Sequence, residues 1–443
     1  AGGIPTVPRP GGLGAQRALT IRWGVSKLEA MPMRFASGIS EAVNAQAALE
    51  AVSQQVEERL AGLPCHAAFL FVSPIYRTSW ADLLTWLHER LHPRVLIGCS
   101  ASGVIGAGQE LEWVPGISLV AAHVPEVRLF PFAVTPEELE RSSPGGFWVD
   151  KVGASPEANP AFVVLADPYT AQPTKFLAEL NGTYRGRPIV GGLASGGHEP
   201  GEQLLFADTE VFHEGVVGLA MTGNIVMDTV VSQGCRPIGR PLIITKAEEN
   251  VILELKGKPA LEVLHEVLAG LLPQDRALAQ RGSIFVGLAM SEMRQAFGSG
   301  DFLVRNIMGV DPEVGAIAVA EQLEVGQTLQ FQLRDPTTSR QELRRLLHQQ
   351  LGSAASSVPP AGGLLFNCSG RGKALYGSAH QDVRAVQMVS SKLPVGGFFA
   401  NGEIGPIGGR AFVHGYTASL GVFRPVHVPL PKTEIPTELK QSG

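Results

Sequence analysis

The sequence predicts an α+β fold, with layered helices and mixed sheets built from repeated strand–helix–strand units in two pseudo-related halves. Three observations carry that reading. One unit recurs along the chain: a strand, an amphipathic helix, a strand that runs into a glycine loop, and a further strand. A series of strand-like segments with few helices lies between its second and third occurrences. Hydrophobic residues make up 44% of the 443 and charged residues 17%, which suits packed cores rather than disorder.

The first segment, AGGIPTVPRPGGLGAQR, is rich in Gly and Pro, and residues 1–17 and 429–443 read as flexible tails. The acid-poor start at Ala1 also fits the remnant of a cleaved targeting peptide, which sets an organelle such as the chloroplast stroma beside the cytoplasm as a location. ALTIRWGVS reads as a strand. EAVNAQAALEAVSQQVEERLAG carries Leu49, Val52, Val56 and Leu60 at helical spacing, with Ser40 to cap its start and Gly62 its end. The first pass of the unit is AAFLFVS, a helix with Trp80, Leu83, Leu84, Leu87 and Leu91 on one face, RVLIGCSASGVIG, then GISLVAAHV. The second is AFVVLADP, a helix over Thr174–Leu180, PIVGGLASGG, then GVVGLAMTG. The third is GLLFNCSGRG, a helix over Gln381–Val389, PVGGFFANGEIGP, then TASLGVF. IGCSASG, VGGLASG and VGGFFANG occupy one slot, where glycine permits close backbone approach.

PLIITKAEENVILELKGKPALEVLHEVLAGLL reads as a strand pair and a helix with Pro259 in its first turn. SIFVGLAM, FLVRNIMGVD, GAIAVAEQL and TLQFQLRD read as antiparallel strands, and TSRQELRRLLHQQLG as a capped amphipathic helix. The polar stretch GLLPQDRALAQRG reads as a linker, so the main boundary falls near Pro273–Gly282, between domains 18–275 and 276–428.

Lys and Arg number 36 against 41 Asp and Glu, a net charge of −5, with no basic run; this argues against nucleic-acid binding. No apolar run reaches the roughly 18 residues of a membrane span. Cys65, Cys99, Cys235 and Cys368 are scattered without a CxxC, which speaks for reduced thiols in a reducing compartment, and against structural zinc or a disulfide framework. HERLH, His88–His92, matches the H-E-x-x-H zinc signature, but Pro93 places His92 at or past the helix end, and no third ligand is identified. GRGKA lacks a Ser or Thr after Lys373, and GCSAS ends in Ser102 rather than the glycine of a nucleophile elbow. No metal and no cofactor is expected. In NCSGRG, Cys368 sits where an apolar strand ends. Arg371 beside it would lower the thiol pKa; a small buried hydrophobe is the other reading of this cysteine.

GLLFNCSGRG followed by PVGGFFANGEIGP resembles the C-terminal half of the FIST domain family, the F-box and intracellular signal transduction proteins. Cys368, Gly370, Arg371, Gly402, Glu403, Ile404 and Gly405 fall on its signature. IGCSASGVIG, GGLASGG and the run through LKGKPALEVL resemble its N-terminal half. TASLGVF resembles its closing strand, although His414-Gly415-Tyr416-Thr417 departs from the expected His-Asn-Thr. The resemblance spans about Arg22 to Phe423. It implies FIST N- and FIST C-like domains that bind a small, amino-acid-like ligand in a sensory, signal-transduction role, without the F-box that some members carry.

Cys99, Ser100, Cys368, Arg371, Asn401 and Glu403 are the expected ligand contacts: Arg371 for an anion, Glu403 for a cation, Asn401 for amide bonds, and Cys99 and Cys368 lining the same pocket. A plainer reading pairs Arg371 with Glu403 to close the third corner. Under the ligand reading, Arg371→Ala abolishes binding without unfolding. Two alternatives stand beside it, although the chain leans away from being an enzyme. One is a cysteine-dependent enzyme with Cys368 as nucleophile and His198 or His414 as base. The other is a scaffold or assembly factor that acts through protein contacts.

Overall fold

Six-residue apolar runs such as AAFLFV and AFVVLA offer no polar face to water, so they belong mid-sheet with both faces covered. They lie there in a computed structural model of the chain, which describes residues 32–290, 301–352 and 358–427. The strand read over ALTIRWGVS and both tails fall outside these residues.

Three six-stranded sheets repeat one plan. In the first, the order is Arg34–Ser40, Ile117–His123, Ala67–Val72, Val95–Ser100, then the hairpin Leu205–Ala207 and Glu210–Phe212. In the second it is Val127–Val134, Val216–Gly223, Ala161–Ala166, Ile189–Leu193, then the hairpin Glu403–Ile407 and Arg410–His414. In the third it is Val226–Ser232, Ala418–Arg424, Gly362–Cys368, Val395–Ala400, then the hairpin Gly103–Gly106 and Gln109–Glu112. The two central strands of each sheet are parallel and their other neighbours antiparallel. Each repeat thus sends its hairpin to another repeat's sheet: the first to the third, the second to the first, and the third to the second.

The inner faces of all three sheets share one core, in which Phe71 stacks on Phe398 at 4.9 Å and meets Phe366 edge-on at 6.4 Å. Helices cover the outer faces. Ala45–Leu60 and Trp80–Leu91 lie on the first sheet, Gly146–Val152 and Pro173–Thr183 on the second, and Pro336–Leu351 and Gln381–Val389 on the third. The helix over 45–60 begins later than the sequence predicts. Asn44, not Ser40, accepts the Ala47 N–H, and Ala61 closes the helix in the left-handed region ahead of Gly62. His92 is the left-handed cap of Trp80–Leu91, so it leaves the turn that would set it above His88.

Close approach of the parallel strands explains one glycine in each repeat. A Cβ on Gly98, Gly191 or Gly397 would overlap the carbonyl oxygen of Leu70, Val164 or Leu365, the residue paired with it.

Between Ser232 and Pro336 the third repeat carries an insertion. Its strands run Thr328–Arg334, Leu242–Glu248, Val251–Leu255, Ala316–Val319, Phe302–Asp311 and Ile284–Ala289, and the last pairs back onto the first to close a small barrel around Ile244, Ile252, Leu329 and Phe331. Pro273–Gln280, read as linker, is a helix here, and its Asp275 pairs with Arg236 at 2.5 Å. No helix among the described residues is long and apolar enough to cross a membrane.

Candidate functional site

The parallel central strands end where the three glycine loops meet, the usual place for ligand groups in such sheets. The Ser195 hydroxyl donates to the Phe399 carbonyl and accepts from the Ser102 N–H at 2.9 Å. The Ser102 and Ser369 hydroxyls lie 3.4 Å apart, and Ser369 donates to the Ala400 carbonyl at 2.9 Å. One serine from each repeat therefore ties the corners together.

Arg371 is fully enclosed in the third corner. Its fork grips Asp382, Nε to Oδ2 at 2.7 Å and Nη2 to Oδ1 at 2.8 Å, while Nη2 also donates to the Tyr376 hydroxyl at 2.6 Å and Nη1 to the Tyr416 carbonyl at 3.3 Å. Burial opposes the charged guanidinium, but Asp382 and Tyr376 outweigh it and hold its pKa above the ordinary value. The hydrogen-bonded partner of Arg371 is thus Asp382, not Glu403. Asp382 opens the helix Gln381–Val389, so its carboxylate already sits at a favoured helix start.

Glu403 is equally buried. Oε2 accepts from the Thr417 N–H at 2.9 Å, and Oε1 has no partner within hydrogen-bond geometry. Burial raises its pKa to about 8, against the pull of the Thr417 N–H, Arg371, the neighbouring Cys368 thiol and Arg334. Cys368 is partly exposed, and the Gly370 N–H points at its sulfur from 3.4 Å. Burial and then the Glu403 charge push this thiol up to about 12, so Arg371 does not produce the lowered thiol pKa expected from the sequence.

Cys99 has no exposed surface, lies in the shared core, and burial raises its pKa well above the ordinary thiol value. Ser100 accepts from the Leu204 N–H at 3.0 Å and so fastens the incoming hairpin of the second repeat. Of the six expected contacts, Cys368 and Glu403 both bond the backbone of Thr417, Asn401 is exposed two residues before Glu403, and Arg371, Cys99 and Ser100 are buried.

Asn401 opens onto a cleft of about 680 Å³ between the third corner and the inserted barrel. His414 and Gly415 share its corner side; Asn250, Arg305, Asn306, Glu321 and Gln322 line the barrel side. Arg305 Nε donates to Glu321 at 2.8 Å, and Nη1 to the Val413 carbonyl at 2.9 Å. A hollow of about 290 Å³ shares Thr174, Arg305, Glu321, Gln322 and Val413 with the cleft. Sequence reasoning missed this barrel wall; the one signal was Arg305-Asn306 interrupting the apolar FLVRNIMGV.

Glu403 has a counterpart in Glu110 on the hairpin of the first repeat. Its Oε1 accepts from the Val383 N–H at 2.9 Å, and burial, then Asp382, raise its pKa to about 8. A carboxyl raised on folding binds its proton more tightly in the native state, so stability falls as pH climbs from about 4.5 to about 8 and then levels off. Glu110→Gln and Glu403→Gln should each flatten that limb, by on the order of 2–4 kcal/mol at pH 9. Urea unfolding across pH 5–9 checks this; an unchanged slope in both variants contradicts it.

The comparisons with known proteins agree with this architecture in extent. The FIST N domain model matches residues 66–258 and the FIST C domain model residues 260–406. An uncharacterized protein of Mycobacterium tuberculosis strain H37Rv is 36% identical over 395 residues, covering 88% of this chain and 100% of the relative. One from Mycobacterium bovis is 36% identical over 398 residues, covering 88% and 99%. A solved structure titled "Cyanuric acid hydrolase: evolutionary innovation by structural concatenation" overlaps at 10% identity with a TM-score of 0.28, across 89% of this chain and 100% of the other, a likeness too weak to bear on function. FIST domains are associated with signalling and small-ligand sensing. With both domain models matched in order and relatives aligned over nearly their full length, the chain belongs to the FIST family.

Proposed function

We propose that this FIST protein is a sensor-type binding protein for a small, amino-acid-like ligand, held in the cleft between Asn401 and the inserted barrel. The observation that carries the reading is the cleft itself. Its size suits a small ligand, and an arginine–glutamate pair and several amides converge on it. Arg305 commits Nε and Nη1 to protein acceptors, which leaves Nη2 for a ligand carboxylate. Glu321 takes a ligand ammonium, and Asn401, Asn306 and Gln322 supply amide donors and acceptors. In this reading Arg305 and Glu321 take the roles expected of Arg371 and Glu403 from the sequence.

Native mass spectrometry before and after denaturation, followed by an amino-acid panel read by thermal shift, tests it. A ligand carried natively and lost on denaturing is expected. Arg305→Ala should weaken binding at least tenfold, as loss of a charge-assisted hydrogen bond does, while Arg305→Lys keeps part of it. Bare protein with no shift across the panel, or full affinity in Arg305→Ala, would sink the proposal. The scaffold alternative draws on the adjacent exposed residues Trp113 and Val114, and bare protein would favour it.

A further inference from the structure

We propose that the hollow beside the cleft seats the ligand's side chain, so that the ligand is an amino acid with a large, uncharged, apolar side chain. The inference rests on the cleft reading and adds the class of side chain to it. Its basis is the way polarity is divided between two cavities that share a wall. Of the five residues common to both, Thr174, Arg305, Glu321 and Gln322 are polar or charged, and Val413 is apolar. Beyond that wall the cleft adds the amides of Asn250, Asn306 and Asn401, whereas the hollow turns mostly apolar.

Three parts of the fold build the apolar end. The helix Pro173–Thr183 presents Leu177 and Ala178, the barrel strands Ile284–Ala289 and Phe302–Asp311 present Leu288 and Leu303, and the hairpin strand Arg410–His414 presents Phe412. The polar residues of the hollow outside the shared wall put no buried charge there. Asn181 commits both ends of its amide to Ala411: Nδ2 donates to the carbonyl at 2.8 Å, and Oδ1 accepts from the N–H at 2.9 Å. Gln327 keeps its Oε1 enclosed. Arg410 is exposed, with its guanidinium 5.7 Å from the centre of the Phe412 ring.

An α-amino acid carries its carboxylate and its ammonium on one carbon. With those groups at Arg305 and Glu321, the side chain departs from the shared wall. The hollow, of about 290 Å³, lies at the small end of ligand pockets and has room for one such side chain. A charged side chain entering it would lose water without gaining a partner. An apolar one gains affinity with every methylene that leaves water.

Isothermal titration of the full chain with L-leucine, L-alanine and L-aspartate tests this. At about fourfold per buried methylene, leucine should bind on the order of 50-fold more tightly than alanine, and aspartate should bind more weakly than alanine. Ala178 is exposed on its helix, so the fold tolerates a larger residue there. Ala178→Trp should fill the hollow, weaken leucine by roughly tenfold or more, and bring the leucine-to-alanine ratio toward one. Ala178→Asp should lower the same ratio by placing a charge in the hollow. Arg305→Ala, by contrast, should weaken leucine and alanine alike, because it removes a contact to the group they share. Binding without side-chain preference, aspartate bound most tightly, or a ratio that survives both Ala178 variants overturns this inference and leaves the cleft reading standing. No binding by any of the three also overturns it, and the cleft reading falls with it when the wider amino-acid panel is silent too. Thermal melts of each variant establish that the titrations report on folded protein.

Discussion

Replacing Arg371 by alanine is expected to destabilise the protein by about 3–5 kcal/mol, the range for deleting one partner of a buried ion pair. The pair to Asp382 has side-chain exposures of 0% and 2%, so no water can take over for the lost guanidinium. The Tyr376 hydroxyl would keep one hydrogen bond to Asp382 at 2.9 Å, and the Asn367 amide another at 3.1 Å, but neither supplies charge. Asp382→Ala should cost a similar amount for the mirror reason. The double variant should cost clearly less than the sum, since it strands no charge. Arg90→Ala is the control. Its partner Glu57 and Arg90 itself are both 38% exposed, and about 1 kcal/mol or less is expected. Urea unfolding reads all four. If Arg371→Ala melts like the parent, the corner does not depend on this pair, and the fold-preserving outcome read from the sequence stands instead.

Gly397→Ala is expected to reach or exceed ~3 kcal/mol, the upper end for ordinary overpacking, because the new methyl group meets backbone rather than a side chain that can swing aside. The Leu365 carbonyl it would strike belongs to the neighbouring parallel strand, so relief requires the two central strands of the third sheet to part. Gly191→Ala against Val164 should behave alike in the second sheet. Gly408→Ala separates this from a backbone-conformation effect. That glycine turns at φ +60° with nothing within 4 Å, and about 1–2 kcal/mol is expected there. Equal losses at Gly397 and Gly408 would mean that strand approach is not what selects glycine in the repeat.

The repeat was legible because its central strands are covered on both faces and therefore spelled in uninterrupted apolar residues. AAFLFV, AFVVLA and GLLFNC all became the inner parallel strand of a sheet, and the helix read over Gln381–Val389 has those bounds in the structure. The outer strands Arg34–Ser40, Val127–Val134 and Val226–Ser232 escaped notice. Two of them mix exposed and buried positions, and RFASGIS has only Phe35 and Ile39 as large apolar residues, too few to announce a strand. The hairpin exchange was out of reach for a deeper reason. Which sheet a hairpin joins depends on partners such as Gly396 and Gly106, almost three hundred positions apart in the chain, and nothing local encodes that choice. The same holds at the site. Cys368, Arg371 and Glu403 stood out from their strand-end settings, but Arg371 pairs with Asp382 rather than with Glu403, which stands in the more conspicuous loop. The barrel wall with Arg305 and Glu321 comes from an insertion outside the repeat.

The cyclic exchange of hairpins also imposes an order on biosynthesis. The segment Gly103–Glu112 is made well before the strand that receives it, Val395–Ala400. The second sheet likewise waits for Glu403–His414. A growing chain therefore holds an unpaired strand edge until the third repeat has been made, the kind of edge on which nascent polypeptides aggregate. What makes the finished protein a closed ring makes the unfinished one dependent on shielding at the ribosome.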